Sequence, residues 1–600
     1  MLPHWDLSVI FPGIDSPAFD SSFSRVIQQI DELAQLFDTY HIEEQRAALL
    51  NDQTVQAFEV VIERYNQVLE ATKTLSAYLV CLVSINSQDM LAQAKLSELQ
   101  QNSVRLTQLG TRFTAWIGSL DVENLIALSP LAGEHAFMLR KAKVRAAHLM
   151  SPGEETLAAE LNVSSGSAWS RLHSDLTSQL TVPLEVSDQQ QAGRIAAEPM
   201  SMVRNLAFDP DRNVRKRAYE AELAAWEHVS LPLAAALNSI KGEVNALAKR
   251  RDWETPLEAS LFDNNMDQRT LEAMLEAARE SFPSFRSYLH AKARVLGIDR
   301  LAWYDLNAPI GQDERTWQYD EARAFIIEQF ATYSPRLSDF VARAFREHWI
   351  DAEPRTGKRD GAFCILLRGD ESRVMANYKS AFGGVSTLAH ELGHAYHNLN
   401  LAGRTMLQRA TPAALAETAS TFCETIIRQA ALQMVGPQEQ MVILEASLQG
   451  STQVVVDITS RLLFEQRVFE ARRKRELSVE ELNNLMLEAQ RETYGDGLDA
   501  SALHPYMWAV KQHYYSTGLS FYNYPYMFGL LFGLGLYARY SQEPDVFRKG
   551  YDELLSSTGL ADASTLAARF GIDIHSVDFW RASLDVMRSD IERFEMLTQS

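Results

Sequence analysis

Cysteine is nearly absent from this chain. Cys81, Cys364 and Cys423 are the only three in 600 residues, widely spaced and odd in number. That excludes a disulfide framework and fits a reducing compartment. Positive charge is also scarce: 57 Lys and Arg stand against 78 Asp and Glu, a formal net charge of −21. A field of that sign repels phosphate backbones and anionic lipid, so neither nucleic acid nor a membrane is expected as a partner. Long apolar runs are missing too. The longest, Met527 to Tyr537, is too short and glycine-rich for a bilayer span. The start, Met1-Leu2-Pro3-His4-Trp5-Asp6, lacks the basic residues and apolar stretch of a signal peptide. A cytoplasmic protein is expected. No period of roughly 20–50 residues recurs, which sets aside a solenoid.

What is present is ordinary for a large globular chain: 46% hydrophobic and 22% charged residues. Helical periodicity dominates. Phe23, Val26, Ile27, Ile30, Leu33, Leu36 and Phe37 recur at three and four, as do Phe58, Val61, Ile62, Tyr65, Val68 and Leu69. Near residue 180 the pattern changes to Leu180-Thr181-Val182-Pro183-Leu184-Glu185-Val186, which alternates, followed by a polar connection over residues 187–193. This suggests an N-terminal helical region, residues 1–190, and a longer C-terminal region, residues 191–600. A hairpin is expected over residues 361–379. There Ala362 to Leu367 and Val374 to Tyr378 flank the turn-rich Gly369-Asp370-Glu371-Ser372. Gly383-Gly384 reads as a turn between that hairpin and a helix starting near Ser386.

That helix carries His390-Glu391-Leu392-Gly393-His394, an H-E-x-x-H pentapeptide. Chance supplies about 0.04 of these in a chain of this composition. Residues four apart share a helix face, so both imidazoles can hold one divalent ion. Glu391 is offset by one residue. Its carboxylate can stand beside the metal and take a proton from a metal-activated water.

A catalytic zinc commonly takes three protein ligands. His397 follows three after His394 but lies about a turn from a metal held between the two histidines. Glu417 is the better third ligand, on a second helix for which Thr411-Pro412 is a suitable start. Ser420, Thr421 and Glu424 share its face. Glu424, two turns on, is expected to orient a ligand histidine. His504 to Tyr540 holds eight of the 20 tyrosines. Much of that cluster reads as aromatic core, but His513 and the tyrosines after it are candidate donors to a developing oxyanion.

These residues resemble the zinc oligopeptidases of the oligoendopeptidase F and thimet oligopeptidase type. The resemblance is carried by Thr387 to His397 and by Glu417-Thr418-Ala419-Ser420 with Glu424. Gly357-Lys358-Arg359 before Gly361-Ala362-Phe363, Trp5-Asp6-Leu7-Ser8, His513-Tyr514-Tyr515 and Phe521-Tyr522-Asn523-Tyr524 add to it. It is closer to the oligoendopeptidase F branch. Thimet-type enzymes usually have Phe at the position of Leu392 and Pro-Ser-Gln where this chain has Ala419-Ser420-Thr421.

The resemblance implies a mainly α, two-lobed body with a deep substrate channel and a small hairpin or sheet beside the H-E-x-x-H helix. It implies one zinc ion per chain, held by His390, His394 and Glu417, with His397 and Glu424 behind them. Glu391 would be general base and acid, and His513, Tyr522 and Tyr524 would assist the oxyanion. The hairpin would pair with the backbone of the substrates, which are short unfolded oligopeptides cut internally. Two other readings stand beside it: a non-catalytic peptide-binding or holdase protein, which would share the acidic surface and channel but would not need Glu391 alongside all three ligands, and an exo-acting zinc carboxypeptidase, which shares the metal site.

Overall fold

The computed structural model describes residues 2–43, 50–185, 195–311 and 315–599. The chain is mainly helical, and several of its helices begin at recognisable caps. Pro17–Thr39 starts with Pro17 in its first turn and with Ser16 Oγ accepting from the Phe19 amide. It buries Phe19, Phe23, Val26, Ile30, Leu33 and Phe37 on one face. Asp52–Ile85 is capped by Asn51 and buries Phe58, Val61, Ile62, Tyr65 and Val68. By length and composition it is the one described helix able to cross a membrane, although half of its most apolar window is buried within the protein. The Met527–Tyr537 run lies within a different helix, Tyr524–Gln542.

Two compact units form, each assembled from three stretches of chain. The first comprises Met1–Leu149, Arg315–Gln433 and Arg539–Ile572; the second comprises Met150–Glu314, Met434–Ala538 and Asp573–Ser600. The boundary expected near residue 190 falls inside the second unit, within Met150–Glu314. Grouping in space thus does not follow chain order here. Val186 and the connection over residues 187–193 lie outside the described residues.

The second unit carries β1 (Thr181–Glu185), which runs antiparallel to β2 (Ile195–Pro199). Its core gathers Trp226, Leu237, Ile240, Phe464, Trp508 and Tyr515. A buried Lys241–Glu465 ion pair at 2.6 Å joins two of its helices, Arg212–Arg250 and Ile458–Arg472.

The first unit holds the expected hairpin, with one strand more than the sequence suggested. β3 (Ile350–Asp351) runs parallel to β5 (Glu371–Met375), and β4 (Phe363–Arg368) runs antiparallel to β5, in the order β3-β5-β4. The turn is tighter than expected. Gly369 takes φ +52° and only Asp370 follows it, while Glu371 and Ser372 join the strand. A two-residue strand such as β3 is too short to show a period.

Distant segments fasten this sheet. Arg373 donates to the Asp6 carbonyl from Nε at 3.0 Å and from Nη2 at 2.8 Å. Lys358 Nζ donates to the Asp351 carboxylate and to the Ala376 carbonyl, each at 2.7 Å. The Trp5–Ser8 and Gly357–Arg359 signatures are therefore clamps on the hairpin. Trp5 and Leu7 enter the same core as Phe58, Tyr78, Leu367 and Met375.

Candidate metal centre

The helix bearing the H-E-x-x-H residues is Phe382–Leu401, starting four residues before Ser386. Gly383 and Gly384 therefore form its first turn, where a connecting turn was expected. The physical reason is crowding: a Cβ on Gly384 would lie 2.2 Å from the Lys379 carbonyl oxygen. The helix packs on β4 and β5. Asn398 Nδ2 donates to Ser372 Oγ at 3.1 Å across that contact.

The second helix is interrupted where chemistry is needed. Ala413–Ala416 is a short helix with Pro412, not Thr411, at its N-cap. Glu417 then breaks the run with φ −83° and ψ 1°, and Thr418–Met434 resumes it. Gly393 lets the two helices approach closely, because any side chain there would meet Ala419 and Ser420.

His390, His394 and Glu417 converge, their ligand atoms all within 4.8 Å of one another. Glu417 Oε2 stands 3.3 Å from His390 Nε2 and 3.4 Å from His394 Nε2. Donors arranged tetrahedrally at roughly 2.0–2.1 Å from a zinc ion are themselves about 3.3–3.4 Å apart. The residues present therefore fit the ion. The opposite side of His390 is also fixed: Nδ1 lies 3.1 Å from Glu424 Oε2, and Glu424 Oε1 accepts from Ser386 Oγ at 2.9 Å. Ser420 Oγ donates to Glu417 Oε2 at 2.8 Å.

The electrostatics ask for a cation. Burial disfavours a charged His390, but hydrogen bonds to Glu417 and Glu424 outweigh it and push the imidazole up to about 10. Burial likewise opposes an ionised Glu417, yet His390 and His394 hold its carboxyl well below the usual range. Three imidazole or carboxylate donors plus Glu424 make a site that attracts positive charge from any source, proton or metal.

Glu391 is only 6% exposed, and its Oε2 is buried without a hydrogen-bond partner. Burial raises its pKa, with His390 and His394 opposing. Neighbouring Cys364 on β4 feels the Glu391 charge, which adds to burial in pushing its thiol up. Cys423 is buried in the core. His397 is not among the converging donors. It is buried with Nε2 2.9 Å from Thr558 Oγ1, and burial pushes it down to about 4.

His513, Tyr522 and Tyr524 belong to the second unit. His513 Nε2 lies 2.7 Å from Asn523 Nδ2, and its ring centroid is 5.6 Å from that of Tyr522. Tyr522 is 39% exposed and its hydroxyl meets that of Tyr526. Tyr524 does not share this setting. It is 0% exposed, with its hydroxyl 3.3 Å from Ser260 Oγ, because the start of the Tyr524–Gln542 helix turns it into the core. Tyr526 stands beside Tyr522 instead. Its four-residue spacing from Tyr522 was the available signal, and likewise Ser386 precedes His390 by four and Ser420 follows Glu417 by three.

Comparison with known proteins agrees with this geometry. Residues 205–586 match the family described as Peptidase family M3, and residues 117–181 match one described as Oligopeptidase F. The group B oligopeptidase PepB of Streptococcus agalactiae is 23% identical over 603 residues, covering 99% of this chain and 96% of that protein. An oligoendopeptidase F homolog of Lactococcus lactis is 22% identical over 608 residues, covering 99% and 97%. In structure, a crystallised protein from Chlamydophila abortus aligns with a TM-score of 0.83 at 20% identity, covering 99% of this chain and 98% of that one. Oligoendopeptidase-F from Enterococcus faecium aligns with a TM-score of 0.70 at 18% identity, covering 97% and 99%.

Proposed function

Because the chain belongs to peptidase family M3, we propose that it is a zinc-dependent endopeptidase that hydrolyses bonds inside short, unfolded oligopeptides. The observation that carries this reading is the convergence of His390, His394 and Glu417 beside a buried Glu391 Oε2 with no partner.

One zinc ion would be held by His390 Nε2, His394 Nε2 and a Glu417 carboxylate oxygen. When bound, zinc supplies a positive charge that polarises the scissile carbonyl and lowers the pKa of water towards about 7. The chain's own residues do the rest. Glu424 accepts from His390 Nδ1, which fixes the tautomer and leaves Nε2 free as a donor atom. Glu391 takes the proton of the attacking water on a carboxylate oxygen and passes it to the leaving amine nitrogen. The burial that raises its pKa suits it to hold a proton between those steps. β4 is an edge strand of its sheet, so a peptide backbone can add alongside it.

His513 and Tyr522 are assigned here to the oxyanion, with Tyr526 supporting Tyr522. Burial and the nearby Arg461, Lys241 and Lys511 push His513 down to about 3, so it acts as a neutral N–H donor. A cytoplasmic location is part of the same proposal, supported by the three free thiols. Fractionation of cells producing a tagged chain tests it: recovery outside the soluble cytoplasmic fraction would discard it.

The deciding experiment maps cleavage of a mixed peptide library by mass spectrometry, with chelator and with zinc restored. Internal cuts that stop with chelator and return with zinc are expected. Trimming from chain ends, or cleavage indifferent to chelation, would overturn the proposal.

A further inference from the structure

None of the metal-centre residues line a cavity of about 470 Å³ within the second unit. That volume suits a small organic ligand, since such pockets run to roughly 300–1,000 Å³. Aromatic rings supply much of its wall: Tyr219, Trp303 and Tyr304 all line it. Trp303 lies 5.9 Å and Tyr219 6.0 Å from the ring of His504.

The charges of this cavity are paired with one exception. Arg215 meets the buried Asp305 at 2.9 Å, Arg204 meets Glu222 at 3.2 Å, and Arg461 pairs with Asp457. Lys511 also lines the cavity, and among the described residues no carboxylate lies within salt-bridge distance of it. A largely desolvated ammonium with no direct ion pair is costly: burial and the nearby Arg461 push Lys511 down to about 8, although Asp457 and Glu222 oppose the shift from beyond ion-pair distance. A ligand anion removes that cost.

Two further features point the same way. His504 is 1% exposed and neither ring nitrogen makes a hydrogen bond, although Glu222 Oε1 stands at ion-pair distance, 3.5 Å from Nε2. The wall also contains a π-helical turn, Gln453–Asp457, set between two α-helices, and both Gln453 and Asp457 face the cavity. Such turns are rare and occur frequently at functional sites.

We propose that this cavity is a ligand site for a carboxylate carried on an apolar body, of the kind found at the C-terminus of a short peptide or on a free amino acid. Lys511 supplies the counter-charge, His504 and the Arg461 guanidinium supply hydrogen bonds, and the three aromatic rings take the apolar portion. A single uncompensated cation matches a monoanion better than a phosphate dianion. The aromatic wall favours an organic acid over a halide. Peptide hydrolysis creates one such carboxylate at every cut, so only the identification of the peptide source rests on the peptidase reading.

Calorimetric titration of the zinc-loaded full-length protein tests the site. N-acetylphenylalanine should bind, and its amide should bind at least ten-fold more weakly. Lys511→Met should weaken the acid at least ten-fold and leave the amide unchanged. Gln453→Glu changes an exposed residue and brings a negative charge to the cavity; it should cost the acid a similar factor and serves if Lys511→Met fails to fold. Gly-Phe binding like N-acetylphenylalanine identifies a peptide end as source, whereas N-acetylphenylalanine binding alone identifies a simple organic acid. Equal affinity for acid and amide, or wild-type affinity in both variants, overturns the proposal. Inorganic phosphate or chloride displacing the acid at lower concentration than acetate overturns the carboxylate assignment.

Discussion

Gly393 and Ser420 sit so close that a Cβ on Gly393 would fall 2.6 Å from the Ser420 Cα. The glycine inside the H-E-x-x-H motif therefore sets the separation of the helix holding His390 and His394 from the one beginning after Glu417. Both helices are buried at this contact, so neither can yield without displacing its core neighbours.

Gly393→Ala should accordingly damage the site without touching a donor atom. Overpacking costs about 1–3 kcal/mol, and part of that strain moves Glu417 relative to His394. Zinc stoichiometry after dialysis should fall together with the melting temperature. Full zinc content in a variant of normal stability would show that the contact does not set the site.

Glu391→Gln keeps the shape of the side chain but cannot take a proton. Loss of about 10²–10⁴ in kcat is expected, the range for a general base, with zinc content near that of the wild type. Because Glu391 is not among the converging donors, loss of zinc in this variant would reassign it as a ligand.

Glu424→Ala frees Nδ1 of His390, now 3.1 Å from its carboxylate. Zinc affinity measured by chelator competition should fall about 10–100-fold. Glu417→Ala should lose the metal more completely. His397→Ala should keep it, since its ring is engaged with Thr558; its effect should appear in thermal stability. The opposite ranking of Glu417 and His397 would exchange their roles.

Acid should weaken the clamp on the hairpin. The Asp351 carboxylate is fully buried with Lys358 Nζ at 2.7 Å and Arg355 Nη1 at 2.7 Å. Burial opposes its charge, but these hydrogen bonds hold its carboxyl below the ordinary value. With the folded pKa below the unfolded one, near 3.9, the ionised form favours folding above that value. The contribution disappears as pH falls through the folded pKa. Asp351→Asn, which strands two cations, should cost about 3–5 kcal/mol at neutral pH. Urea midpoints measured at pH 7 and below about 4 should show the gap between variant and wild type narrowing in acid. A gap independent of pH would place the stabilisation elsewhere.

How much of this was legible beforehand follows from the range of the interactions involved. The helices Pro17–Thr39 and Asp52–Ile85 and the shared face of His390 and His394 depend on residues one to four apart. Spacing alone therefore determined them, since backbone stereochemistry converts period into direction. Glu417 could be named from the sequence, but its position in the break between Ala413–Ala416 and Thr418–Met434 could not. Only the folded backbone, with Glu417 at φ −83° and ψ 1°, reveals it. The same holds for Tyr524, whose spacing does not distinguish it from Tyr526 until the Tyr524–Gln542 helix has chosen which ring faces the core. It also holds for the interleaving of three chain segments in each unit. Contacts between residues hundreds of positions apart, such as Arg373 with the Asp6 carbonyl, leave no periodic trace. They exist only once apolar faces have been buried against one another, which tertiary structure alone accomplishes.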